Sequence, residues 1–595
     1  MAERLRSVWY MTVLAFRADA PRATGALVAG ALNAAGFPIG AYLTSRVITH
    51  VVALDGDGAL RAVVLLAVVG IASMTASLVR LDLRFRMEES TALLIDRDLV
   101  ALTTGMPGLE HHERPEHLDR MELLRAQRRM LSSSVAAIIE NFGTVAAIVT
   151  TTSLLATIDA RLLLLPAFGI PSVVASARTR RWFQQVEERT AERLRGAEHL
   201  YDLATTASPA KELRVFGLRP EIRRRYVELA AGIDAEHDRT MLRSTMASTA
   251  GWAVFAVGYV AAIAFVALEA VAGRAGAGDV ILVVSLAGQV NGQVSSIYLM
   301  VGWLFDTLKT VGRYLALVDE AAATRPRIDD PAAAPDELSV GIELRGVSFR
   351  YPGTDTMVLE DLDLFLPARS TVAIVGDNGG GKSTLIKLLS RFYDPTEGAV
   401  LVDGVDLRRI PIDDWRARMA AGFQDFARLE LLARETVGVG SLPSVDDLHA
   451  VAAALTRASA DDIAGALPSG LETQVGRSFE GGMDLSGGQW QKLALGRAMM
   501  RETPLLLVLD EPTAALDADT EHALFARYAG AAHDLGHRTG GITVLVSHRF
   551  STVGMADLIL VVGARGILEQ GTHDELMARG GTYAELFALQ ASAYQ

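Results

Sequence analysis

The chain has 595 residues, half of them hydrophobic, a formal charge of −13 and no cysteine. Disulfides, thiolate metal sites and cysteine-protease chemistry are thereby excluded, and the acidic balance argues against a nucleic-acid partner. Mean hydropathy is positive, high for a soluble chain of this length, and the excess is concentrated in the first half.

The first residues lack a short apolar core followed by a small-residue cleavage site, so no removable signal peptide is expected. Residues 5–16 read as an amphipathic helix lying at the membrane surface. Six runs then carry no charged residue: 24–45, 62–79, 142–158, 162–177, 244–268 and 280–305. A bilayer-crossing helix needs about 20 apolar residues, because hydrocarbon satisfies no open backbone group. Six spans are therefore predicted, the fourth shortened and kinked by Pro166 and Pro171. The connections after runs one, three and five are nearly free of positive charge, whereas arginines crowd 80–86, 114–129, 178–195 and 214–225. Positive charge marks the cytoplasmic side, which places both termini in the cytoplasm of a multi-pass bacterial membrane protein. Helical periodicity continues past the apolar runs in 81–102 and 182–203, so these helices are expected to project beyond the bilayer. At their tips Pro107, Gly108, Pro115, Pro209 and Gly217 break them and leave room for a short helix each.

Polar residues inside the runs or at their edges are few. Glu140 is read first as an interfacial partner of arginine and second as a contact for a cationic cargo. Gln289, Asn291 and Gln293 suit either cargo contact or hydrogen bonds between helices, and Asn33 and Asn141 complete the set.

Residues 321–340, rich in Ala, Pro and Asp, have the composition of a linker. From 341 the chain reads as a soluble α/β domain. A β-rich run at 371–375 feeds Gly376-Asp377-Asn378-Gly379-Gly380-Gly381-Lys382-Ser383, and an apolar helix opens near Thr384. This is the phosphate-binding GxxxxGK[ST] pattern in its strand, loop and helix context. Glycine amides converge on a phosphate, Lys382 bridges the outer phosphates, and Ser383 ligates Mg²⁺. Some 100 residues on comes Leu485-Ser486-Gly487-Gly488-Gln489, and then an apolar run ending in Asp510-Glu511. Two carboxylates at the end of a buried strand suit one Mg²⁺ contact, Asp510, and one group that orients and polarises water, Glu511.

With these motifs in order, residues 341–595 resemble the nucleotide-binding domain of ATP-binding cassette (ABC) proteins, and the whole chain resembles an ABC exporter half-transporter with the type I exporter fold. The fold class implied is an all-α six-helix membrane domain, residues 1–320, followed by a P-loop cassette. The resemblance implies that Tyr351 stacks on adenine, that Gln424 senses γ-phosphate and Mg²⁺, and that Asp517 and His548 belong to the loops flanking the catalytic centre. It implies that two chains sandwich two ATP molecules, each held by one chain's phosphate loop and by Ser486, Gly487, Gly488 and Gln489 of the other. The segments 111–118 and 211–217 resemble coupling helices. Residues 477–484, with Phe423, Gln424 and Trp490 nearby, look similar to bacterial lantibiotic and peptide exporters. The expected activity is ATP-driven efflux of an amphipathic or hydrophobic compound, such as a ribosomal peptide, by a homodimer in the lipid bilayer. The alternatives are an importer, a lipid flippase, or an ATP-gated channel.

Overall fold

The computed structural model describes residues 2–114, 121, 131–132, 142–324, 328, 330–377, 379–512, 530, 533–547, 553–563 and 565–593. Glu140, Asn141, Pro115, Asn378, Asp517 and His548 lie outside them. Two compact units emerge: residues 1–103 with 119–320, and residues 104–118 with 321–595.

No strand occurs among the described residues of the first unit. Its helices are α1 (Ala2–Val52) and α2 (Gly56–Gly105), and the tip helix α3 (Glu110–Glu113) follows α2 in sequence. Then come α4 (Phe142–Ile158), α5 (Leu165–Thr205), α6 (Ala210–Val215), α7 (Arg219–Val271) and α8 (Ala277–Ala323). All six apolar runs fall in helices. Among the described residues, four of these helices are long and apolar enough to cross a membrane, and α4 is a shorter apolar one. The fourth run starts one turn differently from expectation: a 3-10 turn, Ala160–Leu164, precedes α5. The cause is local, since the Asp159 carboxylate accepts from the Arg161 amide at 2.7 Å and ends the preceding helix. At 50 residues, α2 is about 75 Å long, more than twice the hydrocarbon thickness.

A helix covers the expected 5–16 stretch. It forms the start of α1, broken at Asp19 (φ −164°, ψ 88°), whose carboxylate caps the next stretch by accepting from the Arg22 amide at 3.0 Å. It also packs inside the unit: Arg6 makes two 2.7 Å bonds to Asp319, and Tyr10 meets Tyr314 at 5.6 Å between ring centroids. Gln293 donates to Thr151 Oγ1 at 2.9 Å and ties α8 to α4, which realises the helix-bonding reading of that side chain. Asn291 is buried.

Among its described residues the second unit holds ten strands: β1 (Gly341–Arg350), β2 (Met357–Pro367), β3 (Thr371–Gly376), β4 (Glu397–Val402), β5 (Val405–Asp406), β6 (Met419–Gly422), β7 (Leu506–Asp510), β8 (Ile542–Val546), β9 (Leu558–Gly563) and β10 (Gly566–Gly571). One sheet is antiparallel in the order β2-β1-β4-β5; the other runs β10-β9-β3-β8-β7-β6, parallel from β9 to β6. A parallel sheet is buried on both faces, so its strands read as unbroken apolar runs. In β7, Leu506 and Val508 enter one core with Val372 and Ile374, while Leu507 and Leu509 enter another with Leu493 and Trp490.

The 321–340 segment is less of a free linker than its composition suggests. Its first residues finish α8, the Leu338 amide bonds Thr539, and the Asp403 carboxylate accepts from the amides of Ser339, Val340 and Gly341 at 2.8 Å. Backbone groups that find partners on a domain surface dock there.

Trp415 is fully buried, and its indole nitrogen donates to the Leu389 carbonyl at 2.9 Å. Leu389 ends the helix that follows the phosphate loop. Trp415→Ala is expected to cost about 3–5 kcal/mol and to lower the cassette's calorimetric unfolding transition; an unmoved transition would remove Trp415 from the core's support of that helix.

Candidate functional site

Strand β3 is central in its sheet, and the loop leaving it turns where only glycine fits. Gly376 has φ +139°, and a Cβ there would lie 1.9 Å from the Val562 carbonyl oxygen. Gly381 (φ +103°) begins the helix Lys382–Leu389, so that helix starts at Lys382, before Thr384. Lys382 is buried, and its ammonium donates to the carbonyls of Gly376 at 2.8 Å and Asp377 at 2.9 Å. Burial draws its pKa below the ordinary lysine value, against the attraction of Glu511, Asp377 and Asp510. The loop thus holds a buried cation at its mouth.

The end of β7 delivers the two carboxylates. Glu511 sits at φ +47°, a left-handed backbone uncommon for a residue with a side chain. Neighbours hold it there. Its amide donates to Val546 at 3.0 Å, its carbonyl accepts from Gln491 at 3.4 Å, and its carboxylate accepts from Gln424 Nε2 at 2.6 Å. Ser383, Gln424 and Asp510, the three expected metal ligands, line one cavity of about 660 Å³. Hydroxyl, amide carbonyl and carboxylate form an all-oxygen donor set, which fits Mg²⁺.

Ser486 precedes the helix Gly487–Ala498 in a capping box. Its hydroxyl oxygen accepts from the Gln489 amide at 3.2 Å, and the Gln489 side chain accepts from the Ser486 amide at 2.9 Å. Gln489 therefore serves its own helix start, while the Ser486 proton stays available to an outside acceptor. Tyr351 follows β1; its hydroxyl lies 3.0 Å from Thr384 Oγ1.

Residues 477–484 fold on themselves within the cassette. Arg477 pairs with Asp484, the Gly476 amide bonds Met483 at 2.8 Å, and Glu430 accepts from the Ser478 amide at 3.1 Å. Hydrogen bonds from the Ser478 hydroxyl and then its amide hold the Glu430 carboxyl below its usual pKa.

Four residues of the site escaped the motif reading: Gln491, Glu113, Lys387 and Tyr393. Lys387 donates to Glu113 at 2.6 Å, and Tyr393 donates to the other oxygen of that carboxylate at 2.5 Å. A signal for one of them existed, since Lys211, Lys309, Lys382, Lys387 and Lys492 are all the lysines of an arginine-rich chain and two fall in one short helix.

Long apolar helices in one unit and, in the other, a phosphate loop, an acidic strand end and a capped glycine-rich helix define an ATP-dependent membrane transporter. The family model described as ABC transporter matches residues 359–514. The ATP-dependent lipid A-core flippase of Xanthomonas oryzae pv. oryzae (strain MAFF 311018) is 33% identical over 448 residues, 72% of this chain and 69% of that protein. The protein of the same description from Pseudomonas fluorescens (strain Pf0-1) is 36% identical over 326 residues, 54% of this chain and 51% of that one, so about half of its length is matched. A solved bacterial Atm1-family ABC exporter with ATP bound shares the fold, with a TM-score of 0.71 at 23% identity, covering 96% of this chain and 99% of that one. The chain belongs to the ABC transporter family, whose cassettes bind ATP and couple its hydrolysis to transport.

Proposed function

We propose that this chain is a half-transporter that pairs with a second copy of itself and uses ATP to move an amphipathic, lipid-like compound out of the inner leaflet. The observation that carries the ATP half of the reading is the cavity that gathers Ser383, Gln424 and Asp510 beside the Gln424 to Glu511 hydrogen bond. Lys382 and the amides of Gly379, Gly380 and Gly381 hold the phosphates, and Tyr351 stacks on the base. Glu511 orients and polarises the attacking water, with Gln424 fixing its carboxylate and His548 completing the centre. Mg²⁺, held by Ser383, Gln424 and Asp510, supplies charge neutralisation at the phosphates. Ser486 of one copy, with Gly487 and Gly488, donates to the γ-phosphate bound on the other.

The lipid-like cargo is supported by the description of the relatives as lipid A-core flippases. The peptide reading rested on 477–484, whose hydrogen bonds stay inside the cassette. Arginine placement supports cytoplasmic termini. The test uses proteoliposomes carrying a fluorescent short-chain phospholipid: ATP-dependent movement between leaflets is expected, and its absence beside ATP-driven uptake of a peptide would overturn the lipid reading.

A further inference from the structure

Lys387 lies at the join of two systems that the motifs treat separately. Its ammonium sits 5.0 Å from the centroid of the Tyr351 ring and donates to Glu113 of α3 at 2.6 Å. Three further neighbours hold the ring. Phe349 meets it edge-on at 5.1 Å, Tyr393 at 5.5 Å, and Thr384 holds its hydroxyl. The next residue of α3's end, Arg114, lies against Gly353 in the turn just after Tyr351: a Cβ on Gly353 would be 3.6 Å from the guanidinium. Two consecutive loop residues thus touch the base-binding element, one through a lysine.

We infer that Lys387, anchored by Glu113, is a positioning residue that sets the Tyr351 ring, so that the loop following α2 reads whether a purine is stacked there. A cation on one face of an aromatic ring draws electron density toward itself, which leaves the opposite face a better partner for an electron-rich base. The carboxylate is needed because an ammonium on a flexible stem does not stay over a ring unaided. Burial alone would draw the Lys387 pKa down; the hydrogen bond to Glu113 and the attraction of Tyr351 and Glu113 outweigh it, so the group stays charged. The inference rests on Tyr351 being the base-stacking residue.

The test uses the full chain in lipid discs, with ATP as substrate and tripolyphosphate, which has no base, as competitive inhibitor. Lys387→Met and Glu113→Ala are each expected to raise the KM for ATP by roughly three- to ten-fold, with the effect on KM rather than kcat. The tripolyphosphate inhibition constant should stay put, and the double variant should be no worse than the worse single one. Glu113→Gln, nearly isosteric, gives a smaller shift in the same direction and guards against a folding defect. Additive single effects, an equal shift for tripolyphosphate, or an unmoved KM would overturn the relay. Tyr351→Ala separates the two failures. If it leaves the discrimination between ATP and tripolyphosphate unchanged, the stacking role falls and the relay with it; if it abolishes discrimination while Glu113→Ala leaves it at the wild-type value, the relay alone falls.

Discussion

Glu511→Gln should leave a protein that binds ATP and does not turn it over. The substitution keeps the volume and lets an amide oxygen still accept from Gln424, so the 2.6 Å contact and the backbone bonds to Val546 and Gln491 survive. What disappears is the negative charge that polarises water, and losing a positioned base slows hydrolysis by roughly a hundred- to ten-thousand-fold. Lys382 and the phosphate loop are untouched, so nucleotide binding persists and closed pairs of cassettes accumulate. Steady-state ATPase assays and binding of a fluorescent ATP analogue check both halves. Turnover at the wild-type rate would remove Glu511 from the catalytic role.

Ser486→Arg should abolish hydrolysis while each chain still binds ATP in its own phosphate loop. The serine caps the helix Gly487–Ala498, and losing such a cap costs about 1 kcal/mol, too little to unfold a cassette. The larger effect comes from a long cation at a helix N-terminus, where the dipole favours anions, and from the loss of the one hydroxyl proton that the capping box leaves free. The position is exposed on its own chain, so the defect belongs to the paired site. Mixing the variant with Glu511→Gln chains tests this directly: in a mixed pair one composite site retains an intact phosphate loop, Glu511 and signature serine together only if the two lesions share the other site, and partial turnover is the expected result. Unchanged activity in Ser486→Arg alone would end the shared-site reading.

Much of this was legible from residues close in sequence. The phosphate loop, β7 and the helix after Ser486 each carry their own local code: glycine where backbone must turn, apolar residues where a strand is buried on both faces, serine where a helix begins. The long helices and the short tip helices followed from where apolar periodicity continues and where proline and glycine interrupt it. Other contacts are not encoded by composition: the Ala- and Pro-rich segment before 341 docks by backbone bonds, and the start of α1 meets α8 through Arg6 and Tyr10. The Gln489 side-chain oxygen accepts within its own helix cap.

By itself, the sequence determined the chemistry of the cassette and the count of apolar runs, because both depend on residue type and short spacing. Only the tertiary structure decided which distant groups meet. Gln424 reaches Glu511 across 87 positions, and Glu113 reaches Lys387 across 274. No periodicity relates residues so far apart; they meet because the parallel sheet brings its strand ends to one edge, and because residues 104–118 pack with the cassette rather than with the helices that flank them in sequence.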